Sequence, residues 1–207
     1  MIKKIALIEL IQDRLAGLLT KDQRKKYPAS IIAYYIGRAY SMLLFEIWGS
    51  VRSSLDNHTK TYTGVAVQQD GTTEVYYSTL PADILIFPDV NSGVRKIATT
   101  TGEGVDFVPE TNDNIDLMEG LLCDNLPSEI SYTVKNGRVE YKNMDTTIST
   151  VRMDLVIPFE AYSREDSVFI PSGQDERLIE IVTNYVMGKP PVDLVNDNNP
   201  NTNMIQQ

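Results

Sequence analysis

The chain has 207 residues, 42% of them apolar, with one His, one Cys and a net charge of −9. That length suits one domain, or one domain with an appendage, and the apolar share is enough for a packed core. A single cysteine, Cys123, excludes an internal disulfide and an all-Cys zinc site within one copy, which fits a reducing compartment. The acidic balance does not suit a protein that coats DNA.

The net charge hides an asymmetry. Residues 1–60 carry ten Lys/Arg against five Asp/Glu, and residues 61–207 carry nine against 23. A basic N-terminal part can meet an acidic partner surface, or the acidic part of a neighbouring copy. Solvated helix faces account for the same pattern.

The start, MIKKIALIELIQDRL, has a basic beginning like a signal peptide. Glu9 interrupts its apolar run and no small-residue cleavage site follows, so it predicts a mature N-terminal helix over residues 2–19. Ile5, Ile8, Ile11, Leu15 and Leu18 recur at helical spacing. The run TKDQRKKY reads as a polar, basic connector. Pro28 then opens a second helix, running to about Trp48 and roughly 30 Å long at 1.5 Å per residue. Ile32, Ile36, Ala39, Leu43 and Ile47 line one face of it, and Ile31, Tyr34, Met42 and Phe45 occupy much of the rest. A helix apolar nearly all round must be covered nearly all round. Contact between subunits through Ile32, Ile36, Gly37 and Leu43 is the economical cover, with Gly37 permitting close backbone approach. The alternative is a helix held between a sheet and the first helix.

From Thr61 the pattern turns to strands. TYTGVAVQQDGTTEVYY predicts a hairpin about Asp70-Gly71, a favoured tight-turn pair. DILIF and VRKIATT are further strand candidates, with Pro81 and Pro88 shaping the chain around the first and Asn91-Ser92-Gly93 turning it into the second. Arg95 and Lys96 are its polar contacts toward an acidic neighbour. GEGVDFVPETNDN is loop-rich with one short strand at most, and IDLMEGLL predicts a short helix. ISYTVKNGRVEY is the strongest hairpin signal, with Asn136-Gly137 between alternating runs. STVRMDLVIPF is a last strand, which Pro158 ends or confines to an edge. A closing helix carries Ser172 as N-cap with Asp175 three residues on, an apolar stripe of Leu178, Ile181, Val182 and Tyr185, and Gly188 as its stop. Pro190 and Pro191 prevent continuation. The rest, VDLVNDNNPNTNMIQQ, has two apolar points, Leu194-Val195 and Met204-Ile205. Such a tail orders by lying across a partner. The whole predicts an α+β protein: a helical part over 1–56, a mostly antiparallel β-rich part over 57–170, a C-terminal helix over 171–189, and an extended tail over 190–207.

Chemistry-bearing residues do not gather. His58, the only histidine, sits in SSLDNHTK and reads as a solvent-exposed linker residue. Cys123 follows an apolar run and reads as a buried structural thiol. NDNID has calcium-loop spacing at Asn112, Asn114 and Asp116, but Leu117 stands where Gly is needed and Cys123 where Glu is needed. No metal or cofactor is expected. Asp154, Glu160, Glu165 and Asp166 could supply a glycosidase pair, but two carboxylates among 28 acids carry little specificity. KDQRKKY is too short and too poor in aromatics for sequence-specific nucleic-acid binding. No apolar run reaches the roughly 20 residues of a membrane span.

The order of elements and the residues Tyr77, Leu80, Pro81, Asp83, Gly93, Val94, Arg95 and Ile97, with PPVDLVNDNNP at the end, carry a resemblance. The chain resembles the head–tail connector proteins (adaptor, ring or neck proteins) below the portal of tailed bacteriophages, most of all those of crAss-like phages of Bacteroides. The resemblance implies a non-enzymatic virion protein, made in the host cytoplasm. It implies a homo-oligomeric ring, a dodecamer like the portal it meets. Its partners are then itself, the portal protein, neighbouring ring or tail proteins, and the DNA that passes through. Pro190, Pro191, Leu194 and Val195 join Ile32, Ile36, Gly37, Leu43, Arg95 and Lys96 as the expected subunit or portal interface. An acidic ring would let DNA slide, the reverse of phosphate-binding logic. The alternatives are an oligomeric assembly or binding module with no phage role, or a tail-associated hydrolase.

Overall fold

The computed structural model describes residues 2–18, 27–50, 52–88, 93–100, 107–110, 130–170 and 173–188. The fold is α+β, with two N-terminal helices, an antiparallel-rich β part and a C-terminal helix. Helix α1 spans Lys4–Leu18, α2 spans Ala29–Ser50 and α3 spans Asp175–Val186. Helix α1 starts later than its apolar period predicts, because Ile2–Lys3 form a short strand, β1, instead. Its backbone pairs antiparallel with Ser167–Val168, β10. Lys4 Nζ secures this junction by donating to the carbonyls of Tyr162, at 2.7 Å, and Glu160, at 3.2 Å.

The strands form two larger sheets. One is ordered β2-β9-β5, from Lys60–Ala66, Thr150–Leu155 and Val94–Thr99. Val151, Met153 and Leu155 alternate into the core from β9, as the two-residue strand period requires. Pro158 ends this strand without making it an edge: β9 is central, with β2 and β5 on either side. The other sheet is ordered β3-β4-β8-β7-β6, from Gln68–Gln69, Tyr76–Thr79, Arg138–Lys142, Ile130–Lys135 and Phe107–Pro109. The β7–β8 hairpin turns at Asn136-Gly137, both at positive φ (49° and 76°), as a tight twisted turn needs. Strand β6 runs parallel to β7.

Two predicted strand features differ. The run from Thr61 folds back as a hairpin about Asp70-Gly71 only over Gln68–Gln69 and Tyr76–Tyr77, while its longer strand, β2, pairs with β9. Asp70 Oδ1 accepts from the amides of Thr72 and Thr73. That local turn opens the connection into a longer loop closed by Asp70 N–H to Val75 O at 2.9 Å. DILIF is extended without joining a ladder, although Leu85 N–H donates to Val156 O at 2.9 Å. Helix α3 begins at Asp175 with Gln174 as its N-cap and no capping side-chain bond, so Asp175 lies at the first helical position rather than the third. Ser172 lies outside the described residues. Gly188, at φ 66°, stops the helix as expected.

The 15-residue α1 and 12-residue α3 flank α2. Leu7, Ile11 and Leu15 of α1, Leu178, Ile179 and Val182 of α3, and Leu55 of the 3-10 helix Arg52–His58 share one core with the buried face of α2.

Candidate functional site

Helix α2 has two apolar sides. The inner side, Ile32, Ile36, Ala39, Tyr40, Leu43 and Leu44, is fully buried within the chain itself. Tyr40 meets Phe159 and Tyr162 ring to ring, and its hydroxyl lies 3.4 Å from that of Tyr162. Burial drives the Tyr40 hydroxyl far above its ordinary pKa, so it stays protonated and able to donate. The outer side is different. Ile31 is 37% exposed, Tyr34 55% and Phe45 40%, with Arg38 exposed between them. The 3.6-residue period puts these four and Met42 on one stripe, opposite the buried face.

The stripe is bordered on both sides. Tyr185 of α3 stacks on Tyr35 at 5.9 Å and lies beneath the Arg38 guanidinium at 5.5 Å. At the other end Phe45 and Trp48 hold Phe87, at 5.0 and 6.3 Å between ring centres. Ile86, next to it, is 75% exposed. The segment between the two prolines therefore drives Phe87 into the core and leaves Ile86 facing outward. Gly93 makes this possible. A Cβ there would lie 2.6 Å from Leu85 O and 2.8 Å from Val156 O, two backbone atoms with little freedom to move.

This corrects the expected interface. Ile32, Ile36 and Leu43 are already covered by α1, α3 and the 3-10 segments of their own chain, so they offer no surface to a neighbour. Gly37 does allow close approach, but to Glu160 of the same chain, whose carboxylate occupies the space a Cβ would take. The residues that sequence reasoning assigned to an interface on α2 lie on its buried side. Arg95 is also satisfied internally, with Nε donating to Asp56 Oδ1 at 2.9 Å. Lys96 is exposed on the outer face of β5. Pro190, Pro191, Leu194 and Val195 lie outside the described residues, as do Cys123, the calcium-like NDNID, the predicted helix IDLMEGLL and the basic residues 21–26.

His58 is not an exposed linker residue. It is 4% exposed, edge-on to Phe169 at 4.6 Å, with Nδ1 unpartnered. Burial lowers its pKa, and a hydrogen bond to the Phe169 backbone partly opposes this. The signal missed was the apolar neighbourhood that only the 3-10 helix creates. Three of the four carboxylates considered for hydrolysis have partners of their own. Asp154 accepts from Thr61 at 2.6 Å and pairs with Arg152, while Glu165 pairs with Lys3. Asp166 binds Lys60 at 2.5 Å and the Ser163 amide at 2.7 Å, which brings its pKa down to about 2. Among the described residues no group of three or more His, Cys, Asp or Glu could hold a metal ion, and no helix is long and apolar enough to cross a membrane.

Among the described residues, the sheet edges are poor templates for pairing with another chain. Strand β2 is broken by a register shift between Tyr62 and Val65, with Gly64 at φ 71°. Strand β5 has a shift between Val94 and Lys96, β3 is two residues long, and β6 ends in Pro109. Bulges, short strands and proline are the usual ways to blunt an edge. A surface for association must then be made of side chains, and the outer stripe of α2 is the candidate. No family model matches the chain, and no curated protein matches it.

Proposed function

We propose that the chain is a structural subunit of a ring in the head–tail connector of a tailed bacteriophage, where it joins portal to tail and surrounds the path of the DNA. The observation that supports an assembly role is the outer stripe of α2, where Ile31, Tyr34 and Phe45 stay exposed and Ile86 extends the apolar surface. Large exposed apolar groups set in a row mark interaction surfaces. With the edges blunted, such a ring closes through helix and loop side chains rather than through a shared sheet. The phage setting rests on the resemblance around Tyr77, Leu80, Pro81, Asp83, Gly93, Val94, Arg95 and Ile97. The acidic net charge of −9 supports passage of DNA without adhesion.

The test is assembly. Light scattering and negative-stain imaging of the full chain, alone and with the portal protein, should show closed rings, with twelve subunits where the portal templates them. A chain that stays monomeric in both conditions overturns the proposal. Rings without any portal affinity favour an assembly module outside the phage setting.

A further inference from the structure

We infer that the outer stripe of α2 on one copy receives the C-terminal segment, residues 189–207, of the adjacent copy, with Leu194 and Val195 as its apolar anchors and Asp193 facing Arg38. This inference rests on the ring reading.

The position of the chain's exit motivates it. Helix α3 runs antiparallel to α2: Arg177, near its start, pairs with Glu46 at 2.8 Å, and Tyr185, near its end, stacks on Tyr35. The described residues therefore end at Gly188, beside the Tyr34–Arg38 half of the stripe, with Met187 exposed. Nineteen residues follow. At roughly 3.3 Å per residue they reach about 60 Å, beyond the body of one copy, whose radius of gyration is about 17 Å for this length. Pro190 and Pro191 come almost at once, and two residues with fixed φ favour an extended path over an immediate reversal. The Phe45 end of the stripe lies behind the exit by eleven residues of helix, about 16 Å, so covering it from the same copy needs that reversal.

The chemistry of the two surfaces matches. The stripe offers aromatic and aliphatic groups around one cation, Arg38. The segment offers Leu194-Val195 next to Asp193, and Met204-Ile205 further on. A ring also requires a head-to-tail contact between two different surfaces of each subunit. A stripe on one side and an outgoing segment on the other meet that requirement, whereas two stripes facing each other would close into a dimer.

Two double variants of the full chain test this. Tyr34→Ala with Phe45→Ala disables the receiving stripe, and Leu194→Asp with Val195→Asp disables the segment. Each alone should be monomeric by light scattering, with unchanged circular dichroism. Mixed, they should form a one-to-one heterodimer, since one intact stripe and one intact segment remain between them. Mixtures that stay monomeric overturn the inference, and so does a segment variant that still dimerises, which would mean stripe-to-stripe contact. A synthetic peptide of residues 189–207 supplies a second measurement on the full-length Leu194→Asp, Val195→Asp variant. Binding should weaken about tenfold or more when Tyr34 and Phe45 are alanine. If the full chain is monomeric both alone and with the portal protein, the ring reading fails. Stripe-dependent peptide binding would then mean that the segment lies on its own helix, which overturns contact between copies. No peptide binding at all would remove the stripe as receptor even if rings form.

Discussion

The two sides of α2 differ little in composition and greatly in circumstance. Ile32, Ile36 and Leu43 on one side and Ile31, Tyr34 and Phe45 on the other are all apolar, yet the first set is buried and the second is more than a third exposed. A helix this apolar has two claims on its surface. The chain's own core meets one of them, and the other stays exposed. Burial of the inner side stabilises the fold by roughly 1.5–3 kcal/mol for each large side chain. The outer side contributes little to folding and is free to contribute to association.

Substitutions on the two sides separate these roles, beginning with the largest effect. Ile36→Ala empties a fully buried site on the inner side and should cost about 2–5 kcal/mol, seen as a lower urea midpoint with unchanged slope. Gly93→Ala should cost about 1–3 kcal/mol by the same measurement, because the new methyl meets the carbonyl oxygens of Leu85 and Val156. A stable Gly93→Ala protein would mean that the Ile84–Phe87 segment, which borders the stripe, is held loosely.

The 3-10 helix that closes the inner side carries a pH-sensitive point. Burial holds His58 below its ordinary pKa, so the folded state favours the neutral ring and the unfolded chain takes up the proton more readily. Stability from this group is complete above about 6.5 and is lost as the pH falls through the folded value. In His58→Phe the melting temperature should fall less between pH 7 and pH 5 than in the wild type. Asp166 acts in a lower window. Its pKa, depressed to about 2 by Lys60 and the Ser163 amide, gives stability that is present above about 4 and lost as the pH falls toward 2. Melting curves at pH 5 and pH 3 distinguish the two groups.

The smallest effects fall where the two sides contrast most. Tyr34→Ala should change stability by no more than about 0.5 kcal/mol, as exposed positions do, while reducing self-association. If it unfolds the protein, the outer stripe belongs to the core after all. Gly37→Ala should be near neutral. Its methyl meets only the end of the Glu160 side chain, which can swing away, and alanine favours the helix by up to about 1 kcal/mol over glycine.

The sequence by itself determined the helices α1, α2 and α3, the Asn136-Gly137 hairpin, β5, β9 and the α3 stop at Gly188. Each rests on a local signal: apolar period, turn chemistry, or a residue tolerant of left-handed backbone. It also singled out α2 as too apolar for solvent. Only the tertiary structure decided which side of α2 is covered, since period alone marks two apolar faces without saying which one meets α1 and α3. The same holds for His58, which a polar stretch of sequence carries into an apolar site, and for Arg95, whose partner Asp56 lies 39 residues away in the chain. It holds for β2 as well, since its partner β9 lies far along the chain and the local hairpin pairs only Gln68–Gln69 with Tyr76–Tyr77. Period and turn chemistry act over a few residues, whereas burial and ion pairing depend on which distant residues the fold brings together.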